Sequence, residues 1–239
     1  MRAGVCLGFL ILSGAGSCWA EVPGMEALMR VPGEMEGTTF GEVVEAATGR
    51  RVVPVDLSVD GDWVGILGGH VAEMVAAMNT ASHPVQKATR INEASRPVEE
   101  ELVARLASVP GWTCDFATTA GKGAQRSGYP DIRLQLPGGR VVYIDPKLYA
   151  ADSRSSSFRS FYYSPKTDTN KILEDARHVI VGIAHADNPD GSRRFTSWEI
   201  IDVATMPIHL KLEFQSSNAD MYRDEARVTG GGIPLDPDG

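Results

Sequence analysis

The stretch YPDIRLQLPGGRVVYIDPK, Tyr129 to Lys147, reads as a strand, a turn and a second strand. Ile132, Leu134 and Leu136 fall on one face of the first arm, and Val142 and Ile144 on one face of the second. The opposite faces carry Asp131, Arg133 and Gln135 on one arm and Tyr143, Asp145 and Lys147 on the other. For both apolar sets to share a face, directly opposed residue numbers must sum to an even value. A loop of Pro137-Gly138-Gly139 does this and sets Asp131 opposite Asp145. A tighter Gly138-Gly139 turn would put Asp131 opposite Pro146 and split the apolar sets, so the pattern predicts the longer loop.

Like charges opposed on a sheet are destabilising unless something compensates them. A divalent cation is a natural compensator. Mg²⁺ prefers hard oxygens in octahedral array and usually takes one or two carboxylates with water and phosphate. Pro146 removes a ladder donor from its strand, yet its carbonyl stays available as a ligand. Lys147, beside such a cation, could orient or deprotonate an attacking water, or stabilise charge on a phosphorane.

Outward from the hairpin, elements follow in a definite order. Upstream, "ASRPVEEELVARLASV" predicts a helix, with Ser95 or Arg96 as cap and Pro97 in the first turn, where its missing N–H costs nothing. Val98, Leu102 and Leu106 line one face of it. "WTCDFATT" follows as a strand, then a polar loop from Ala120 to Gly128. Downstream, a Ser- and aromatic-rich segment spans Ala150 to Pro165, and Asp168 is placed to cap a short helix through "NKILEDAR". "HVIVGIAHA" is apolar enough for a strand covered on both faces. "FTSWEIIDV" and "IHLKLEFQ" read as further strands separated by Pro207. Nearer the start, Phe40 to Ala47 reads as a helix stopped by Gly49, "VVPVDL" as a strand, and Val71, Met74, Val75 and Met78 as a buried helical stripe.

Pro130-Asp131 followed by Asp145-Pro146-Lys147 resembles the signature of the PD-(D/E)XK nuclease superfamily, to which many restriction endonucleases belong. The run from about Arg96 to Ala186 also resembles that family's common core: a helix, three strands, a helix and a strand. The resemblance implies an α/β, restriction-endonuclease-like fold, with a central mixed β-sheet flanked by helices and an N-terminal extension. It implies Mg²⁺-dependent hydrolysis of DNA phosphodiesters, with Mn²⁺ able to substitute, Asp131 and Asp145 as metal ligands and Lys147 as the catalytic lysine. The family often adds a glutamate from the preceding helix, which Glu99 matches best, with Glu100 and Glu101 as competitors. A noncatalytic nucleic-acid-binding or envelope protein of the same fold is the alternative reading.

The formal charge of -8 supplies no global basic field, so DNA binding needs a local patch. "SRSSSFRSFYYSPK" offers one: Arg154, Arg159 and Lys166 alternate with Phe158, Phe161, Tyr162 and Tyr163, and Lys171 extends it. The same aromatics could instead pack onto the core, with the arginines solvated. Asp60-Gly61-Asp62 resembles a turn and lacks the spacing of a calcium loop. The histidines show no zinc-protease spacing, and Ser127 has no nucleophile-elbow context.

The 239 residues suit one main domain with an added lobe. Residues 1–20, with Arg2, an apolar core and a Cys18-Trp19-Ala20 end, have the shape of a secretory signal peptide. Residues 21–84 read as an N-terminal extension or small lobe, 85–226 as the nuclease-like core, and 227–239 as a mobile tail. Export would make the protein periplasmic or secreted; a true start at Met25 or Met29 would make it cytoplasmic. Past Ala20 only Cys114 remains, so no intramolecular disulfide or cysteine zinc site can form. DNA is the expected partner, with no stable membrane span after leader removal, and a homodimer is possible.

Overall fold

A computed structural model describes residues 24–121, 128–157, 161–165, 169–189 and 192–229. The leader, Arg159, Lys166, Asp168, Ser127 and residues 230–239 lie outside these.

Residues 37–209 form one unit around a five-stranded mixed sheet, ordered β1-β2-β3-β4-β5. The strands are β1 Thr113–Phe116, β2 Ile132–Gln135, β3 Val141–Ala150, β4 Arg177–Asp187 and β5 Arg193–Asp202. β3 and β4 are parallel; the other neighbours are antiparallel. The β2–β3 register pairs Ile132 with Ile144 and Leu134 with Val142, as the alternation of apolar residues requires. Leu136 N–H donates to Arg140 O at 2.8 Å and closes the Pro137-Gly138-Gly139 loop. Gly138 and Gly139 have φ of 82° and 81°, a region that side chains with a Cβ rarely adopt.

One sheet face buries Ile132, Leu134, Val142, Ile144, Val179, Val181 and Ile183 against α3 (Leu57–Met78) and α4 (Ile91–Ala107). Val71, Met74, Val75 and Met78 of α3 are all buried there, as are Val98, Leu102 and Leu106 of α4. The other face buries Tyr143 and Ile180 under Phe40 and Val44 of α2 (Phe40–Thr48), with Ile172 and Val203. A Thr39–Glu42 capping box starts α2, and Gly49 at φ 68° ends it. The fold is restriction-endonuclease-like: mixed α/β, a central sheet flanked by helices. Residues 24–36 and 210–229 group as a separate unit holding α1 (Met25–Glu34) and α5 (Asn218–Met221). Among the described residues no helix is long and apolar enough to cross a membrane.

Several elements differ from expectation. α4 starts at Ile91, because the Glu93 carboxylate accepts the Thr89 and Arg90 backbone N–H groups at 2.9 and 3.2 Å. Pro97 therefore sits inside the helix instead of opening it. "VVPVDL" is no strand: only Val52 bridges, to Ala176, and Leu57 already belongs to α3. Residues 170–177 form no helix: 170–176 lie in irregular backbone, their side chains taken by the anchors described below, and Arg177 already opens β4. Residues 208–215 form no strand: Ile208 N–H donates to Thr38 O at 3.1 Å and its side chain packs on the core, whereas Phe214 is 79% exposed. Asp60 lies within α3 and not in a turn. It is fully buried, accepting from Trp63 Nε1 at 2.9 Å and Arg177 Nε at 2.9 Å, with Arg140 Nη1 3.3 Å away.

Candidate active site

The β2–β3 register, extended one residue past Ile132–Ile144, sets Asp131 opposite Asp145. Asp131 is anchored there by its own carbonyl, which accepts the Ala117 N–H at 2.9 Å beyond the end of β1. The negative charge of Asp131 acts on Asp145 from across this pair. Asp145 is only 2% exposed, and Lys147 Nζ stands 2.5 Å from its Oδ2. That contact is an ion pair, with Lys147 as the cation closest to Oδ2. Burial pushes the Asp145 pKa up to about 7; Lys147 pulls it down, and the charge and hydrogen bond of Asp131 push it up again.

Pro146 fits its central strand for a geometric reason. The Leu136–Arg140 bond makes even-numbered residues of β3 those whose backbone faces β2. Pro146 lies beyond Ile144, the last residue that β2 pairs, so its missing N–H breaks no β3–β4 bond. Its carbonyl faces the same side, toward the Asp131 end of the hairpin.

An aromatic cluster is built around Tyr129, which the charge of Asp145 reaches. Tyr129 stacks on His178 with ring centroids 5.8 Å apart, and its hydroxyl lies 2.8 Å from His178 Nδ1. Phe40, Phe161 and Tyr163 close edge-on around it. Burial, then the negative charges of Asp145 and Asp131, raise the Tyr129 pKa well above its usual value. Burial alone drops His178 to about 3, so it is neutral.

Of the residues singled out from the sequence, Asp131, Asp145, Pro146 and Lys147 meet at one end of the hairpin. Glu99 lies on α4. Its helix packs on the opposite sheet face, and among the described residues no three His, Cys, Asp or Glu side chains converge. Lys171, expected on a DNA-facing surface, is 2% exposed; Nζ donates to Gly128 O at 2.7 Å and Pro130 O at 3.1 Å. Arg154 is exposed and ion-paired with Glu199 at 2.7 Å. Phe161 and Tyr163 belong to the core, whereas Tyr162 is 62% exposed.

Three residues of the site's surroundings carried no sequence signal. Glu174 accepts from Tyr143 Oη at 2.5 Å and from Arg133 Nη2 at 2.7 Å, while Leu173 N–H donates to Tyr143 Oη at 2.9 Å. Asp175 accepts the Arg51 backbone N–H at 2.9 Å. With Lys171, these anchors hold the extended segment before β4 across the carboxylate-bearing face.

Fold and hairpin together define a restriction-endonuclease-like protein. The comparison of the chain with known families is more particular: residues 33–225 match the type II restriction enzyme MjaV family, and the chain belongs to that family. A relative, the type II restriction enzyme MjaV of Methanocaldococcus jannaschii, is 28% identical over 204 residues, covering 80% of this chain and 87% of its own.

Proposed function

We propose that this protein is a Mg²⁺-dependent DNA endonuclease of the PD-(D/E)XK type, with Mn²⁺ able to substitute. The observation that carries the reading is the pairing of Asp131 with a buried Asp145 whose Oδ2 faces the Lys147 ammonium at 2.5 Å. Two opposed carboxylates in a dry site are unfavourable alone and suited to a hard cation. Asp131, Asp145 and the Pro146 carbonyl would hold the ion, and two carboxylates suffice for Mg²⁺ when phosphate and water complete its shell. When bound, the cation supplies Lewis-acid polarisation of the scissile phosphate.

The chain's own groups do the rest. Lys147 orients the attacking water through its ammonium and balances charge as the water oxygen bonds to phosphorus and the bond to the leaving oxygen breaks. Its side chain is 34% exposed, so Nζ can meet substrate while still facing Asp145. Asp145 is almost wholly out of bulk water, which strengthens every charge interaction there. Arg154, Arg159 and Lys166 contact backbone phosphates and position the duplex. A homodimer would present two such hairpins to the two strands.

Incubation of the purified protein with plasmid DNA and Mg²⁺ tests the reading. Nicked or linear products that disappear with EDTA are expected; an intact plasmid at all Mg²⁺ concentrations would count against it.

A further inference from the structure

The buried Lys171 is the least expected charge in the molecule. An ammonium almost never lies fully inside unless its hydrogen bonds are satisfied, because taking the charge out of water is costly. Here Nζ reaches two carbonyls of another segment, Gly128 O and Pro130 O, and Pro130 immediately precedes Asp131. The Asp131 carbonyl is held from the other side by Ala117 N–H. The peptide units on both sides of Asp131 are therefore fixed, one by β1 and one by a cation from the extended segment before β4. That segment is itself tied to the hairpin through Glu174, which takes Tyr143 of β3 and Arg133 of β2 together.

We propose that Lys171 is a positioning residue that fixes Asp131 against Asp145 through the Gly128 and Pro130 carbonyls. The proposal rests on the metal-site reading above. A strand residue just past the last ladder pair is free to swing, and a ligand carboxylate that swings costs affinity each time the ion binds. Groups that orient ligand side chains typically matter by about 10–100-fold in metal affinity or activity. Lys171 acts through backbone carbonyls, so its effect is carried by Asp131 and not by contact with DNA.

The test uses the full chain and Lys171→Met, which keeps the bulk and removes the donors, beside Lys171→Arg, which keeps cationic N–H groups. Metal binding is read directly by calorimetric titration with Mn²⁺, without DNA, and thermal unfolding is followed in EDTA. Lys171→Met is expected to bind Mn²⁺ about 10-fold more weakly and to cleave at least about 10-fold more slowly at fixed Mg²⁺. Lys171→Arg should recover part of both. Combining Lys171→Met with Asp131→Asn should weaken Mn²⁺ binding no further than Asp131→Asn does alone, because both act on one ligand. Wild-type Mn²⁺ affinity in Lys171→Met overturns the proposal, as does a lowered unfolding temperature with unchanged affinity. If Lys171→Met does not fold, Lys171→Gln replaces it, and wild-type Mn²⁺ affinity in that variant likewise overturns the proposal. Failure of the nuclease reading looks different: the wild type itself would not cleave.

Discussion

Asp145→Asn in the metal-free protein should change the pH dependence of stability in a direction set by two buried groups. Asp145 ionises at about 7 in the folded protein against 3.8 ordinarily, so between these values the folded state holds a proton that the unfolded state has lost. Its contribution is present at acid pH and falls as pH rises, by roughly 2 kcal/mol from pH 5 to pH 7. His178 acts in the opposite sense. Burial lowers it from 6.5 to about 3, so the unfolded state gains a proton first as pH falls, and stability rises by roughly 2 kcal/mol from pH 5 to pH 7. The two nearly cancel in the wild type. Asp145→Asn removes the first term and should become more stable at pH 7 than at pH 5 by roughly 2 kcal/mol. His178→Phe removes the second and should show the reverse slope. His185, also lowered by burial, contributes alike to all three proteins, so the differences between them isolate the two groups. Urea unfolding in EDTA at pH 5 and pH 7 measures this, with the midpoint shift read at constant m. An Asp145→Asn slope equal to that of the wild type would refute the idea that the site stores an uncompensated carboxyl.

Other consequences are simpler. At limiting Mg²⁺, cleavage should rise with pH through about 7 and the inflection should move to lower pH as Mg²⁺ is raised, because metal and proton compete for Asp145; a pH–rate series at two Mg²⁺ concentrations shows whether it moves. Asp60→Ala leaves the largely buried Arg177 guanidinium and the Trp63 Nε1 donor without their carboxylate and should cost about 3 kcal/mol in chemical denaturation. Arg154→Ala should weaken DNA binding and reduce the salt slope by about one, measured by fluorescence anisotropy over a salt series. Fusion of residues 1–24 to a reporter should send it across the bacterial inner membrane with cleavage near Ala20; a native protein beginning at Met25 or Met29 would instead be cytoplasmic.

What could be read without coordinates was whatever alternation controls. The hairpin register followed from parity alone, because a slip by one residue would have turned Ile132, Leu134, Val142 and Ile144 to the wrong face. The α3 stripe and the doubly covered β4 were legible for the same reason. Charged residues were not. Lys171 and Asp60 look like surface residues in sequence, and their burial depends on partners 41 to 117 positions away. Glu99 rests on a local match alone: it sits at the expected spacing on α4, whose buried residues pack with Ile132 and Ile144. The predicted helix through residues 170–177 failed because Glu174 and Lys171 are worth more as tertiary anchors than as helix formers.

The most direct test of the hairpin as the catalytic centre is single-turnover cleavage by Lys147→Ala at saturating Mg²⁺, with DNA binding measured in parallel. Removing the ammonium while both carboxylates remain should slow the chemical step by about 10²-fold or more, with DNA affinity nearly unchanged. Cleavage at the wild-type rate would mean that the hydrolytic chemistry resides elsewhere and that the paired carboxylates are part of the fold alone.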